Sequence, residues 1–135
     1  MFVDTSVFIA LLTGEPDAHA LAEALGRARH RTTSPLVRLE TSAVLATRLD
    51  ISPLQAEALF DELVIEAEIT IAPITDAIGR MAVQGFHAYG KGRHPARLNI
   101  VDCFSYACAK ALREPLLFKG DDFSLTDVNE AGYKG

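Results

Sequence analysis

The sequence has no apolar stretch of the length that a membrane-spanning helix requires. Its longest hydrophobic runs fall far short of the roughly 20 residues that cross a bilayer. The first residues carry neither a basic flank nor a small-residue cleavage site, so we expect no signal peptide. These features favour a cytoplasmic protein that makes no membrane contact.

Cysteine is scarce, which argues against a disulfide framework. The chain has two cysteines, Cys103 and Cys108, which fall on one predicted helix at positions roughly 140° apart around its axis. Side chains placed in this way do not face each other. We therefore expect two reduced thiols in the core of a cytosolic protein.

Positive charge is also in deficit. Lys and Arg number 13 against 18 Asp and Glu, and the net charge of -5 argues against bulk binding of nucleic acid through overall charge. A local basic patch beside an acidic site is still compatible with this balance. The chain is 49% hydrophobic and 23% charged, which excludes a disordered chain. It has no internal repeat, low-complexity tract or linker, so we expect residues 1–135 to form a single domain.

Short strands alternate with helices along the chain. The runs that predict strands lie at residues 2–3, 32–33, 69–71 and 116–118. The predicted helices span residues 7–12, a segment starting at Pro16, and residues 36–49, 52–63, 76–89 and 102–112. This alternation predicts an α/β fold in which a short-stranded parallel sheet carries helices on both faces.

Local signals indicate where the helices begin. Ser6 is expected to cap the first helix, and Pro16 is expected at the first position of the second. Ser34 and Ser52 are each followed by proline and are expected to cap the next two helices. In the helix at residues 36–49, the stripe expected to face the core consists of Leu36, Leu39, Glu40, Ala43 and Val44.

Three acids occupy positions where apolar residues belong. The chain opens MFVDTSVFIALL, so Asp4 stands inside an apolar run. Glu40 shares the inward stripe of its helix, and Asp102 lies within LNIVDCF, near a helix start that Asn99 can cap. A buried carboxylate is costly unless it is paired, hydrogen-bonded or bound to a metal. These acids are therefore candidates for a functional site.

The predicted topology brings further acids to the same edge. In a parallel α/β sheet, ligands bind outside the carboxyl ends of the strands. Asp4 follows the first predicted strand, and Asp121 and Asp122 follow the last. We therefore expect these acids to lie near one edge of the sheet.

Each acid also has a purely structural explanation. Asp4 can cap the helix that follows it. Glu40 can pair with Arg38 or extend into solvent, and Asp102 can stabilise a helix dipole. The two late acids are ordinary turn residues. Taken together, however, four repelling carboxylates at one sheet edge require a cation to hold them.

The type of ligand selects the cation. Carboxylate oxygens favour Mg²⁺ or Mn²⁺, which retain several waters. Ions held in this way most often serve phosphoryl chemistry. Zinc is disfavoured, because the four histidines show no metal-binding spacing: His19, His30, His87 and His94.

The order and spacing of these residues resemble those of the PIN-domain ribonucleases, specifically the VapC-type toxins of prokaryotic toxin–antitoxin pairs. The resemblance runs from VDTS at residues 3–6 to GDDF at residues 120–123. The segments YGKGRH at 89–94 and DCFSY at 102–106 resemble one VapC subgroup. The resemblance implies a PIN-like three-layer sandwich. It also implies an Mg²⁺-dependent endoribonuclease, the toxin of a type II system, that cleaves RNA phosphodiester bonds.

The resemblance also implies a role for each site residue. Asp4 and Asp102 would bind the metal, and the other acids would assist directly or through water. Ser6, or else Thr5, would orient Asp4 by a hydrogen bond. The family pattern has a single late acid before Phe, which favours the second of the two adjacent acids. The full catalytic set is then Asp4, Glu40, Asp102, Asp122 or Asp121, and Ser6.

A basic segment leads into the predicted Asp102 helix. Lys91, Arg93 and Arg97, with His94 among them, are candidates to hold substrate phosphates beside a metal site that otherwise repels RNA. A solvated loop is an equally open alternative. The other basic stretch, residues 27–31, is expected to complement a helix dipole, and Lys119 stays ambiguous.

Excess apolar surface favours self-association. The predicted helices at 7–12, 36–49 and 52–63 carry more apolar residues than one thin sheet can cover, which favours a homodimer. The resemblance implies the same dimer and an antitoxin segment lying over the acidic groove. An arginine from that segment would compete with the metal or the RNA.

Two other functions fit parts of the pattern. A receiver-like phosphoryl-accepting signalling domain also has acids at strand ends, and Lys119 would suit it. That design needs an adjacent acid pair after the first strand and an acceptor after the third, where this chain has Ala72 and Pro73. An Asp-x-Asp phosphatase would need an acid in place of Ser6. A non-catalytic protein-binding module would leave the acids in apolar positions unexplained.

Overall fold

Four parallel strands of two residues each form the sheet. The computed structural model describes residues 1–133. Phe2 pairs with Thr32 on one side and with Leu116 on the other, so the first strand lies inside the sheet. The strands are β1 (Phe2–Val3), β2 (Thr32–Thr33), β3 (Thr70–Ile71) and β4 (Leu116–Leu117), in the order β3-β2-β1-β4.

Helices connect these strands and complete the predicted α/β sandwich, which is confirmed. A 3-10 turn follows β4 at Phe123–Leu125. None of the helices within residues 1–133 combines the length and the apolar content that crossing a membrane demands. The α-helices are α1 (Thr5–Thr13), α2 (Ala18–Arg27), α3 (Pro35–Leu49), α4 (Pro53–Glu66), α5 (Asp76–Tyr89) and α6 (Ile100–Leu112).

The starts of α1 and α2 differ from the sequence prediction. Asp4, rather than Ser6, is the N-cap of α1, because the Asp4 carboxylate accepts the Ser6 N–H. Helix α2 begins at Ala18 with Asp17 at the N-cap position, so Pro16 lies in the preceding turn. Before α1 three cap-forming residues, Asp4, Thr5 and Ser6, stand in succession, and local signals alone do not choose among them.

The serine–proline pairs behave as predicted. Ser34 and Ser52 each accept a backbone N–H in the first turn of the following helix, α3 and α4 respectively. The proline after each serine occupies the first helical position, where its missing N–H costs nothing.

Arg31 joins the ends of two helices. Its guanidinium donates to the carbonyl oxygens of Leu25 and Ala28 at the end of α2, and to that of Ala67 at the end of α4. The Leu25 carbonyl also accepts the Ala28 N–H at 3.2 Å, and all three carbonyls lie at helix C-termini, where a partly buried cation is well placed. The prediction that the basic stretch at residues 27–31 complements a helix end is confirmed for Arg31.

The inward face of α3 is not the predicted stripe. Leu39 is 66% exposed, whereas Val37 and Leu45 are fully buried. Two hydroxyl residues, Thr41 and Ser42, are buried between them. The prediction was wrong because it followed the apolar side chains alone, and a helix face that includes buried hydroxyls escapes a hydrophobic pattern.

The strands lie in the centre of the core. Phe2 and Leu116 are fully buried, and Phe8 of α1 stacks on Phe60 of α4 at 4.6 Å between ring centroids. Cys103 and Cys108 are both buried and unpaired. The pKa of each thiol is raised to about 11, mainly by burial, and the prediction that both thiols lie in the core is confirmed.

Candidate active site

The carboxyl ends of β1 and β4 define the candidate active site. Asp4 directly follows β1, and the segment from Lys119 to Asp122 follows β4. Because the two strands are parallel neighbours, these ends lie side by side. Helix α6 brings Asp102 close enough for the charges of Asp4, Glu40 and Asp122 to act on it. Four of the predicted acids therefore share one electrostatic neighbourhood.

Asp4 is the most buried of the acids, with 4% of its surface exposed. Its Oδ2 accepts hydrogen bonds from the Ser6 hydroxyl at 2.7 Å and from the Ser6 backbone N–H at 3.1 Å. Its Oδ1 is buried and has no hydrogen-bond partner among residues 1–133. Burial raises the pKa of this carboxyl, and the Ser6 bonds lower it in part. An unpartnered buried carboxylate oxygen is a costly feature that calls for a ligand.

Ser6 links the two strand ends. The backbone N–H of Lys119, just after β4, donates to the Ser6 Oγ at 2.9 Å. Ser6 in turn donates to Asp4 after β1. This chain of hydrogen bonds fixes the Asp4 carboxylate relative to β4. It also makes Ser6, rather than Thr5, the residue that contacts Asp4 through its hydroxyl.

One carboxylate oxygen of Asp102 takes part in a helix cap, and the other has no hydrogen-bond partner among residues 1–133. Helix α6 begins at Ile100, two residues before the predicted start, with Asn99 as its N-cap. The Asn99 Oδ1 accepts the Asp102 N–H at 2.8 Å, and the Asp102 Oδ2 accepts the Asn99 N–H at 3.0 Å. This reciprocal pair forms a capping box, so the predicted dipole and cap explanation is correct for one oxygen of Asp102. It leaves Oδ1 for another ligand.

The electrostatics of Asp102 reflect its acidic neighbours. The pKa of Asp102 is raised to about 7, and burial is the largest cause. The negative charges of Asp4, Glu40 and Asp122 contribute to this rise, and the hydrogen bond from the Asn99 N–H opposes it. Like charges held together in this way disfavour ionisation, and a cation would relieve the repulsion.

Glu40 faces the same neighbourhood from α3. Burial raises the pKa of Glu40, the Thr5 hydroxyl lowers it and the charge of Asp4 raises it. The alternative explanation, that Glu40 pairs with Arg38, is wrong. The Arg38 guanidinium instead binds Asp61 at 2.6 Å and Glu57 at 3.2 Å on α4.

The two late acids separate clearly. Asp122 lines a cleft of about 320 Å³ together with Asn99 and Asp102. Both acids are exposed, but Asp121 is not among the residues that line this cleft. Position therefore favours Asp122 as the acid that faces the site.

Two of the three predicted basic residues reach the same cleft. Lys91 and Arg97 line it together with Asp102 and Asp122, and they also line an adjoining cavity of about 520 Å³. Arg93 lines only the adjoining cavity, where its guanidinium lies over the Phe86 ring. The cleft thus has an acidic wall, formed by Asp102 and Asp122, and a basic wall, formed by Lys91 and Arg97, which Arg93 extends into the adjoining cavity.

The remaining basic candidates have internal partners. The Lys119 ammonium lies 2.9 Å from Asp17 and 3.4 Å from Glu15, which removes it from the cleft. The Nδ1 of His94 accepts the Ala96 N–H at 3.0 Å. His94 therefore supports the loop rather than standing free for a ligand.

The sequence prediction missed the Ser105 hydroxyl, and it expected Thr5 only as an alternative partner of Asp4. The Ser105 side chain is buried beside Asp4 and lowers the pKa of that carboxyl, and Thr5 acts in the same way on Glu40. Ser105 follows Asp102 by three residues, so both lie on one face of α6. The three-residue spacing from Asp102 is the feature of the sequence that could have predicted Ser105 at the site.

The donor set fits a hard divalent cation. The available ligands are carboxylate oxygens, above all the unpartnered Oδ1 of Asp4. Within residues 1–133, no three acidic, histidine or cysteine side chains already form a cluster that could hold an ion. A cation here would take several ligands from water, which is how Mg²⁺ usually binds in proteins.

The sequence matches a known family over almost its whole length. The family model described as PIN domain matches residues 1–129. Ribonuclease VapC28 of Mycobacterium tuberculosis is 46% identical over 132 residues, which cover 97% of each chain.

Solved structures share the fold. The crystal structure of Mycobacterium tuberculosis VapC20, a sarcin–ricin loop cleaving toxin, has a TM-score of 0.75 at 22% identity and covers 96% of both chains. A toxin–antitoxin complex from Klebsiella pneumoniae has a TM-score of 0.65 at 20% identity and covers 93% of this chain and 92% of that one. The chain therefore belongs to the PIN-domain family and, within it, to the VapC ribonucleases.

Proposed function

We propose that the protein is an Mg²⁺-dependent endoribonuclease, the toxin of a type II toxin–antitoxin system, in which Mn²⁺ can replace Mg²⁺. The observation that carries the proposal is Asp4, whose buried carboxylate keeps one oxygen without a partner. Its charge acts on Asp102, as do those of Glu40 and Asp122. Membership in the VapC ribonucleases supports RNA as the substrate.

Two oxygens are assigned to the metal. Because Ser6 occupies Oδ2 of Asp4, the ion would bind Oδ1. Because Asn99 occupies Oδ2 of Asp102, the ion would bind Oδ1 of that residue as well. Glu40 and Asp122 would assist through water, and Ser6 would hold the Asp4 carboxylate in place. A bound Mg²⁺ supplies Lewis acidity and lowers the pKa of an attacking water at the RNA phosphate.

The basic wall would hold the substrate. Four acids at one site repel the phosphates of RNA, so cations nearby are required for binding. Lys91 and Arg97 are suited to the phosphate that lies in the acidic cleft, since both line it. Arg93 is suited to a flanking phosphate, since it lines only the adjoining cavity. Each contact would make the fall of log affinity with log salt steeper by about 0.7 for a single-stranded RNA.

An antitoxin protein is the proposed partner. The Klebsiella pneumoniae neighbour is a toxin–antitoxin complex, which supports a similar assembly for this chain. The acidic cleft would accept an arginine from the partner, in competition with the metal. An apolar groove of about 350 Å³ between α1, α2 and α4 would accept an apolar helix. Its apolar lining consists of Leu11, Ala22, Leu25, Leu63 and Ala67.

A homodimer is proposed on the basis of exposed apolar side chains. Leu39 on α3 is 66% exposed, and Val83 on α5 is 70% exposed. Ile100 at the start of α6 is 66% exposed and lies next to the cleft residue Asn99. Light scattering at micromolar concentration should give the mass of two chains, and a monomer would contradict the dimer. We further propose that residues 1–135 act as one PIN-like domain in the cytoplasm.

The alternative functions lack support. A receiver-like domain needs a phosphoryl acceptor after β3, and Ala72 and Pro73 offer none. The Lys119 side chain that would suit such a domain is bound to Asp17 and Glu15. A non-catalytic binding module leaves the unpartnered oxygen of Asp4 without an explanation.

An RNA-cleavage assay tests the proposed function. Purified protein should cleave RNA with Mg²⁺ or Mn²⁺ and should be inactive with EDTA. Asp4→Asn and Asp102→Asn should each abolish cleavage while the protein stays folded. Cleavage that persists in EDTA, or at the wild-type rate in either variant, would refute the assignment.

A matched pair of variants tests the fourth acid. Asp122→Asn should reduce cleavage strongly, because Asp122 lines the cleft. Asp121→Asn changes the adjacent residue in the same way and should retain wild-type activity. Equal loss in both variants would show that the turn itself, rather than one carboxylate, is required. The complex with the antitoxin should be inactive, and full activity in that complex would refute the inhibitory role.

A further inference from the structure

The loop that carries the basic wall is closed at its base by the backbone. The Lys91 N–H donates to the Leu98 carbonyl at 2.9 Å, and the Leu98 N–H donates to the Tyr89 carbonyl at 3.0 Å. Gly90 at the closure packs so tightly that a Cβ there would clash with the Phe86 carbonyl oxygen. The ends of the loop are therefore fixed, and its internal contacts decide where its basic side chains point.

His94 makes three polar contacts inside this loop. Its Nδ1 accepts the Ala96 N–H at 3.0 Å. Its carbonyl accepts the Arg97 N–H at 3.0 Å, and its own N–H donates to the Gly90 carbonyl at 3.1 Å. His94 thus accepts hydrogen bonds from the N–H groups of two successive residues, Ala96 and Arg97.

Aromatic packing fixes the orientation of the His94 ring. The ring packs edge-on against Tyr89 at 5.1 Å between centroids, and Tyr89 packs against Tyr106 at 5.7 Å. The Tyr106 hydroxyl donates to Asp127 at 2.6 Å. This series anchors the loop to the buried part of α6. An edge-on neighbour restricts rotation of the imidazole, so Nδ1 stays directed at Ala96.

Arg97 has a backbone conformation that needs such support. Its φ of 54° lies in the left-handed region, which is unfavourable for a residue other than glycine. Strained conformations of this kind persist only where the surrounding contacts determine them. The His94 carbonyl accepts the N–H of Arg97 itself, and the His94 Nδ1 accepts the N–H of the preceding residue, Ala96. With this backbone, Arg97 lines the cleft beside Asn99, Asp102 and Asp122.

We infer that His94 is a positioning residue that holds Arg97 at the acidic cleft, where Arg97 binds an RNA phosphate. Because Nδ1 accepts a hydrogen bond, the ring acts as the neutral tautomer with its proton on Nε2. The inference rests on the proposed function in one respect, namely that the phosphate belongs to RNA. His94 itself does not contact the substrate. Its effect on binding passes entirely through Arg97.

Three substitutions separate this role from general support of the loop. Asn places its carbonyl oxygen at the same branch as Nδ1, so His94→Asn keeps an acceptor for the Ala96 N–H. Gln places its oxygen one bond farther out, where the ring has Nε2. Ala removes the acceptor. We expect His94→Asn to behave as wild type, and His94→Gln and His94→Ala to lose the Arg97 contact.

The first readout is equilibrium binding of a single-stranded RNA in EDTA, where cleavage does not interfere, over a series of salt concentrations. His94→Ala and His94→Gln should lower the steepness of the fall of log affinity with log salt by about 0.7, the value for one phosphate contact. Arg97→Ala should lower it equally, and the double variant His94→Ala/Arg97→Ala should lower it no further. Additive losses, or an unchanged slope in His94→Ala, would overturn the positioning role.

The second readout does not depend on RNA. Nitrogen NMR shifts of the His94 ring in the free protein should report the Nε2–H tautomer. Backbone shifts at Arg97 should stay close to wild type in His94→Asn and change in His94→Gln. An Nδ1–H tautomer would overturn the inference even where RNA binds normally. A wild-type protein that binds no RNA, with the expected tautomer present, would instead overturn the proposed function and the phosphate contact that rests on it.

Discussion

Asp102→Asn should stabilise the protein when no metal is bound. Asp102 is partly buried and faces three other acids, and burial together with the charges of those acids raises its pKa from 3.8 to about 7. Asn has nearly the same shape and carries no charge at any pH. It can also accept the Asn99 N–H that Asp102 accepts now, so the capping box at the start of α6 should survive.

The size and the pH range of this effect follow from the shift. A rise in pKa from 3.8 to about 7 corresponds to at most about 4 kcal/mol, at ~1.4 kcal/mol per tenfold change in proton affinity. Because Asp102 is partly exposed, solvent screening reduces this to about 2 kcal/mol, or roughly 8 °C in Tm. The folded-state pKa lies above the unfolded-state pKa. Asp102 therefore costs no stability below pH 3.8, and its cost grows as the pH rises to about 7.

Urea unfolding of metal-free protein between pH 4 and pH 8 measures this effect. The free energy of unfolding of wild type should fall over this range more steeply than that of Asp102→Asn. Adding Mg²⁺ at 100 times its Kd should stabilise wild type by about 2.7 kcal/mol and leave the variant unchanged. Asp121→Asn is the control, since this exposed residue lies outside the cleft. A variant less stable than wild type at pH 8 would refute the reasoning.

Three further predictions concern the site and its support. Ser6→Ala removes the hydroxyl that orients Asp4, so Mg²⁺ affinity measured by calorimetry should fall about 10- to 100-fold, while Ser124→Ala on the surface should leave it unchanged. Mg²⁺ affinity of wild type should fall as the pH drops below about 7, because protons compete for Asp102, and a flat profile would contradict its assignment as a ligand. Gly85→Ala should destabilise the fold by about 1–3 kcal/mol, since a Cβ would lie 2.8 Å from the Tyr106 ring. The matched variant Gly79→Ala on the same helix meets no neighbour within 4 Å and should be neutral or stabilising in thermal melts.

The sequence identified site residues where a charged side chain stands among residues that are expected to be buried. Asp4 and Asp102 were found because acids inside apolar runs carry a high cost, and that cost is visible without a structure. The four strands were found because short β-branched or apolar runs stand between capped helices. The strand order was not predicted, since periodicity does not report which strands are neighbours.

The remaining details depend on tertiary contacts. Asp4 and Ser6 are equally good helix caps by residue type. In the structure the Ser6 hydroxyl accepts the Lys119 N–H from the neighbouring strand end, and Asp4 is the cap. Asp121 and Asp122 are adjacent in a turn, so pattern alone does not say which one faces the cleft. The role of His94 depends on a bond to a backbone N–H two residues away, which composition does not reveal.

The location of a bound ion tests the central claim most directly. Crystals grown with Mn²⁺ should show an anomalous peak at about 2–2.3 Å from the Oδ1 of Asp4 and from the Oδ1 of Asp102, with water completing the shell. The same crystals of Asp4→Asn should lack the peak. A peak bound to other residues in wild type, or one that persists unchanged in Asp4→Asn, would contradict the assignment of a carboxylate-held metal to this site.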